Sequence, residues 1–427
     1  MDTIEVRGGR SLFGSVEIPG AKNSALPLIA ASILCYGAVT LTNVPCLSDV
    51  NAALQILSEL GCKARIVDKT VDIDAHSLQK SAVPEHLMCA MRSSLFFLAP
   101  LLTRMGRAEI STPGGCRLGA RPIDIHLAGL SAMGAEIVQT ENGKTIVSAP
   151  AAGLRGADYT LRFPSVGATE TLLMASVSAV GRTVLRGVAK EPEITDLIRF
   201  LQSAGAHIAG AQTNVLYIEG GDLLAGTTHS VCPDRITAAT VLCAVAACGG
   251  EVLLMHCSRQ QLKALLPLLQ TLGCVFSATG DTSLCVASNG PKCAIGNVFT
   301  DIYPGLSTDV SPLLMAAVLR AEGESRCADT IFEHRFACSD GFRALGGMAK
   351  IEGNALEIHG VPTLYGTALH AQELRGGAAL VLAALQAQGQ STIDGVAHIA
   401  RGYEDIAQMF RSLGADISLR QAAAHSA

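Results

Sequence analysis

An apolar, helix-like run, then glycine, then a β-rich run recurs six times along this 427-residue chain. The glycines are Gly37, Gly106, Gly181, Gly249, Gly323 and Gly389, about 70 residues apart, and so regular a period marks a repeated structural unit. A second series interleaves with it. Leu60-Gly61-Cys62, Met133-Gly134-Ala135, Ala204-Gly205-Ala206, Leu272-Gly273-Cys274, Leu345-Gly346-Gly347 and Leu413-Gly414-Ala415 each close an amphipathic stretch. Each precedes a β-type run such as Glu136-Ile137-Val138 or Asp416-Ile417-Ser418. A unit therefore reads helix–strand–helix–strand, with a further strand near turns such as Glu141-Asn142-Gly143-Lys144. The first helix of each unit is apolar nearly all round and is expected inside. The second is amphipathic and is expected outside. The first-series glycines suit the C′ position of the buried helices. The expected architecture is α/β with helices inside the sheets, as two domains of three units or as one ring; the length favours two domains.

Composition narrows what such a fold serves. Hydrophobic residues make up 49% and charged ones 16%, which suits a large buried core and excludes a disordered chain. The net charge of −5 supplies no basic field, so no nucleic-acid partner is expected. The 14 cysteines show no Cys-x-x-Cys pair and no His-flanked zinc spacing, and Cys35, Cys243 and Cys248 sit in apolar runs. They read as small buried hydrophobes of a reducing compartment, with no metal site. The stretch Met1–Val6 is acidic and strand-like, not a signal peptide, and no apolar run reaches the length of a membrane span. The expectation is a cytoplasmic protein with no membrane partner.

The polar residues gather where the buried helices start. Gly20-Ala21-Lys22-Asn23-Ser24 opens the first, Met91-Arg92-Ser93-Ser94 the second and Ser165-Val166-Gly167-Ala168-Thr169 the third. Cys232-Pro233-Asp234-Arg235, Thr308-Asp309 and Glu373-Leu374-Arg375-Gly376-Gly377 open the others. Helix N-termini carry unpaired N–H groups and favour anions, and Lys22, Arg92, Arg121, Arg375 and Arg401 would add to that. Plain capping with solvated charges is the alternative at any one of these places. The segment 112–122 holds three glycines, two prolines, Cys116 and the guanidiniums of Arg117 and Arg121. It reads as a loop with a thiolate-favouring environment, or as a surface hairpin with an incidental cysteine. Asp309, among so many cations, is expected to stay ionised and so to orient or deprotonate a hydroxyl, unless it is a simple cap.

Taken together these pieces resemble the enolpyruvyl transferase family, in its branch acting on UDP-N-acetylglucosamine. The matching stretches are Gly20-Ala21-Lys22-Asn23, Pro113-Gly114-Gly115-Cys116, Gly119-Ala120-Arg121-Pro122-Ile123-Asp124 and Ser165-Val166-Gly167-Ala168-Thr169. Pro233-Asp234-Arg235, Thr308-Asp309, Glu333-His334-Arg335-Phe336 and Arg401-Gly402-Tyr403-Glu404 complete the order. The resemblance implies a two-domain inside-out α/β barrel, residues 22–231 forming one domain and 1–21 with 232–427 the other, with the site in the cleft. It implies addition and elimination between phosphoenolpyruvate and the sugar 3-hydroxyl, without a cofactor, in an early step of peptidoglycan precursor synthesis. By resemblance Lys22, Arg121 and Arg401 clamp phosphoenolpyruvate, Cys116 protonates its methylene carbon, and Asp309 receives the hydroxyl proton. Asn23, Arg92, Arg121, Pro122, Ile123, Asp124, Ile125, Ser165, Val166, Gly167 and Ile331 match UDP-sugar contacts, and Arg375 a further anion contact. Ser48, Phe163-Pro164, Glu373 and Ala400 depart from the family pattern, the last two where relatives carry Asp. Glu373 and Ala400 leave one alternative beside the main reading, a non-catalytic copy that binds UDP-N-acetylglucosamine; the shared fold leaves another, a 3-phosphoshikimate enolpyruvyl transferase.

Overall fold

The structure, a computed structural model, describes residues 2–111, 122–141, 143–278, 280 and 282–421. The stretch 112–121, with Cys116 and Arg121, lies outside the described residues, as does Asn142 of the expected turn. The chain divides into two compact units, one built from described residues 20–232 and the other from 2–19 and 233–421. Each has its own hydrophobic core.

Among the described residues, the unit 20–232 carries three sheets. The first runs Thr228–Ser230, Val39–Thr42, Thr70–Asp74, Lys63–Val67. The second runs His207–Ala209, Val215–Gly220, Gly181–Arg186, Asp158–Thr160, and the third Arg107–Ile110, Thr145–Ser148, Glu136–Gln139. In the four-stranded sheets one pairing is parallel and the others antiparallel. Inside lie three helices: α1 (Lys22–Ala31), α2 (Leu98–Met105, entered through a 3-10 turn at Arg92–Phe97) and α3 (Val166–Ser176). The expected single helical run from Ser94 is thus split in two. α1 is buried from Ser24 to Ala31 and α3 from Ala168 to Ser176, as sequences without a polar face require.

The other unit also carries three sheets among the described residues, again with one parallel pairing each. The N-terminal strands belong to it: Thr3–Arg7 pairs with Gln390–Asp394 and Asp416–Arg420, and Leu12–Glu17 with Gly250–Met255. Its inner helices are α4 (Arg235–Cys248), α5 (Ser311–Ala317) and α6 (Leu374–Gln386), packed against one another. Among the described residues no sheet closes on itself, and the fold is α/β with mixed sheets.

The second glycine series ends each amphipathic helix in the same way. At Gly61 the N–H donates to Ser58 O, and that of Cys62 to Leu57 O. The same pair of bonds recurs at Gly134, Gly205, Gly273, Gly346 and Gly414, all with positive φ. These are Schellman endings, which a left-handed glycine makes without a Cβ penalty. The first series behaves differently. Gly106 and Gly249 directly follow α2 and α4, but Gly181 opens the strand Gly181–Arg186, and Gly323 and Gly389 lie in bends just before strands. One amphipathic helix also departs from expectation. Pro192–Ser203 is buried over most of its faces, because α1 and α3 both pack against it. No described helix is long and apolar enough to cross a membrane.

Candidate active site

In the unit 20–232 the expected site residues stand at the starts of the inner helices. Lys22 is the first residue of α1, and its Nζ lies 3.2 Å from Asp49 Oδ2 on the neighbouring helix Ser48–Glu59. The Lys22 side chain is 13% exposed. Asn23 follows it, half-buried. Ser165 caps α3: its Oγ accepts from Ala168 N at 3.3 Å, leaving Val166 and Gly167 in the first turn. Thr169 fixes that turn further by donating to Ser165 O and accepting from Ala189 N.

His126, which the sequence did not single out, joins these pieces. It sits on the helix Asp124–Ala132, 5% exposed, facing the start of α3. A Cβ added at Gly167 would stand 3.1 Å from its Nε2. Burial, then the Arg92 guanidinium, lower its pKa to about 4, so the imidazole is neutral. Arg92, Gly167 and His126 are therefore one cluster. Pro122 and Ile123 lead into the same helix, Ile125 is half-buried on it, and Asp124 pairs with Arg162 at the surface. Deeper in α3, Glu170 is fully buried with neither oxygen hydrogen-bonded among the described residues. Burial, with Glu193 and Glu191 nearby, raises its pKa well above the usual carboxylate range.

The other unit centres on Asp309, half a turn before α5, its side chain 27% exposed. Arg335 Nη2 donates to its Oδ1, and Arg375 Nη2 reaches its Oδ2 at 3.5 Å. Arg335 is 1% exposed and also donates through Nε to Thr308 O at 2.7 Å. Burial alone would raise the Asp309 pKa, but Arg375, Arg335 and Arg235 outweigh it and hold the carboxyl well below the usual range. Arg375 is 4% exposed, stacks 5.8 Å from the Tyr403 ring centroid, and leaves Nη1 without a hydrogen-bond partner among the described residues. Tyr403 in turn shares a 2.7 Å hydrogen bond with Thr240.

Glu373 caps α6 by accepting from Arg375 N at 2.8 Å and from Gly376 N. That cap fixes the backbone that carries Arg375. Ile331 donates its N–H to Asp329 Oδ1 at 2.9 Å, and the same carboxylate accepts from Thr308 Oγ1 at 2.6 Å. Ile331 and the Thr308–Asp309 pair are thus held by one residue. Arg401 is half-buried in the turn after the short helix Val396–Ile399. Chemically this half offers an ionised carboxylate flanked by guanidiniums, one with an unused donor. Among the described residues no group of His, Cys, Asp and Glu is placed to hold a metal ion.

A family model described as EPSP synthase (3-phosphoshikimate 1-carboxyvinyltransferase) matches residues 6–410. A protein of Caldanaerobacter subterraneus subsp. tengcongensis named UDP-N-acetylglucosamine 1-carboxyvinyltransferase 2 is 41% identical, over 98% of this chain and 99% of that protein. UDP-N-acetylglucosamine 1-carboxyvinyltransferase 1 of Symbiobacterium thermophilum is 42% identical, over 97% of this chain and 94% of that protein. Among solved structures, the enolpyruvyl transferase NikO of Streptomyces tendae superposes with a TM-score of 0.87 at 25% identity, covering 99% of both chains. An EPSP synthase of Acinetobacter baumannii gives 0.77 at 20% identity over 99% of this chain and 100% of the other, a likeness of fold. With matches of this extent, the chain belongs to the EPSP synthase family of enolpyruvyl transferases.

Proposed function

We propose that this chain transfers the enolpyruvyl group of phosphoenolpyruvate to the 3-hydroxyl of UDP-N-acetylglucosamine, releasing phosphate, in peptidoglycan precursor synthesis. The observation that carries the reading is 38–42% identity, over nearly the whole chain, to four proteins named for that reaction. The 3-phosphoshikimate alternative draws on the description of the family model and on structures that share the fold at 20% identity. The non-catalytic alternative loses its main support at α6, where Glu373 caps the helix that carries Arg375.

In this reading each unit is a triplet of the six repeats, and the protein is cytoplasmic. Cys116 delivers a proton to the methylene carbon while the 3-hydroxyl oxygen bonds to the adjacent carbon and its proton passes to Asp309. Elimination then breaks the carbon–oxygen bond to phosphate as a proton leaves the new methyl group. Lys22, Arg121 and Arg401 bind the phosphoenolpyruvate anion; Asn23, Arg92, Pro122, Ile123, Asp124, Ile125, Ser165, Val166, Gly167 and Ile331 bind the UDP-sugar. Preorganised charge of this kind is the larger catalytic contribution. Asp309 tied to Arg335 and Arg375 is a weak base. A substrate anion that draws Arg375 away through its unused Nη1 restores that basicity, which couples proton acceptance to substrate arrival.

The test is product identity. With phosphoenolpyruvate supplied, mass spectrometry is expected to find UDP-N-acetylglucosamine carrying an added enolpyruvyl group. Unchanged UDP-N-acetylglucosamine alongside enolpyruvylated shikimate 3-phosphate would overturn the acceptor.

A further inference from the structure

The first turn of α1 is held from beneath by a carboxylate that the reaction itself does not use. Asp196 lies on Pro192–Ser203, the helix that α1 and α3 bury. Its Oδ2 accepts from the Ser24 hydroxyl and from Cys232 N at 3.0 Å, and its Oδ1 lies 2.9 Å from His229 Nε2. Ser24 is fully buried, one residue beyond Asn23 and two beyond Lys22. The His229 and Phe200 rings pack edge to face, ring centroids 5.8 Å apart.

A charged side chain on the inner face of a helix, among Ile194, Leu197 and Ile198, is costly unless its partners are built in. Here all three partners are present. Burial raises the Asp196 pKa, but the bonds from His229, Ser24 and Cys232 N–H outweigh it and keep the group ionised. An apolar residue would fill the same space at lower cost, so a buried carboxylate suits a requirement for direction. The one partner on α1 is the hydroxyl beside the two residues that face the substrates.

We infer that Asp196 is a positioning residue for the transfer reaction, setting the place of Lys22 and Asn23 through the Ser24 hydroxyl. Lys22 is then held at two levels, its backbone by Asp196 through Ser24 and its ammonium by Asp49. The inference rests on the proposed roles of Lys22 and Asn23.

Steady-state kinetics on Ser24→Ala, Asp196→Ala, the double variant and His229→Gln test it. Ser24→Ala removes one hydroxyl and leaves Cys232 N–H and His229 on Asp196, so it carries the test even where Asp196→Ala folds poorly. Each single change at 24 or 196 is expected to raise KM for phosphoenolpyruvate about tenfold with a smaller change in kcat, the mark of lost ground-state binding. The double variant is expected to be no worse than the worse single one, since both cut the same bond. His229→Gln leaves the Ser24 bond intact and is expected to keep KM within about twofold. Ser24→Ala with wild-type KM values, or His229→Gln with the same KM loss, would overturn the role. A wild-type protein that fails to turn over would instead overturn the functional reading itself.

Discussion

At the scale of single residues, the sequence showed which charges matter but not what each one touches. Asp309 was expected to be ionised among cations, and its pairs with Arg335 and Arg375 are the reason. Arg335 could be read only as part of a motif, because its partners, Thr308 and Asp309, lie 27 and 26 residues away in the chain. Replacing Asp309 with Asn leaves two nearly buried guanidiniums without their counter-charge. The expected cost is about 3 kcal/mol of stability at pH 7, with a loss of at least about 100-fold in turnover. The stability gap narrows in strong acid, since a carboxylate with a depressed pKa loses its stabilising charge as pH falls through that folded value. Urea unfolding at several pH values reads both.

His126 carries the opposite lesson: a lone histidine in an amphipathic stretch gave no signal, and only the approach of Gly167 and Arg92 reveals it. Its folded pKa of about 4 lies below the ordinary 6.5, so the unfolded chain binds the proton first on acidification. Its contribution is full above 6.5 and is lost as pH falls towards 4, up to about 3 kcal/mol over that window. Urea unfolding of His126→Gln is expected to show a flatter pH dependence than the wild type over that range. An unchanged slope would contradict the neutral, buried imidazole.

At the scale of elements, glycine and hydrophobic period were the legible signals. The Leu-Gly and Ala-Gly endings predicted helix stops, and the Schellman bonds at Gly61, Gly134 and the rest account for them. The strands at Glu136–Gln139 and Asp416–Arg420 stand where β-type runs were read. The burial of Pro192–Ser203 was not legible, because its exposed-looking Glu193 and Asp196 are buried by tertiary packing that a helical period does not encode. The N-cap at α6 belongs to this scale. Glu373→Ala removes the acceptor for Arg375 N and Gly376 N and is expected to cost about 1 kcal/mol. Glu373→Asp is expected to recover most of it, since aspartate caps as well or better. Thermal midpoints of the two variants decide, and equal losses would mean that the cap is not what Glu373 contributes.

At the scale of the whole molecule, the repeat announced an α/β chain with buried helices, and each unit has that character, with mixed sheets. What the sequence could not carry was the pairing of Thr3–Arg7 with strands nearly 400 residues later; only the resemblance implied that the N-terminus returns to the C-terminal half. Strand pairing across such separations leaves no local mark, since it is set by which edges remain open once neighbouring units have packed.

Phosphate release from phosphoenolpyruvate by the purified chain, measured with and without UDP-N-acetylglucosamine, tests the central claim most directly. The account predicts release that depends on the nucleotide sugar and saturates with it. Release at the same rate in its absence, or none in its presence while the protein binds it, would contradict the transferase.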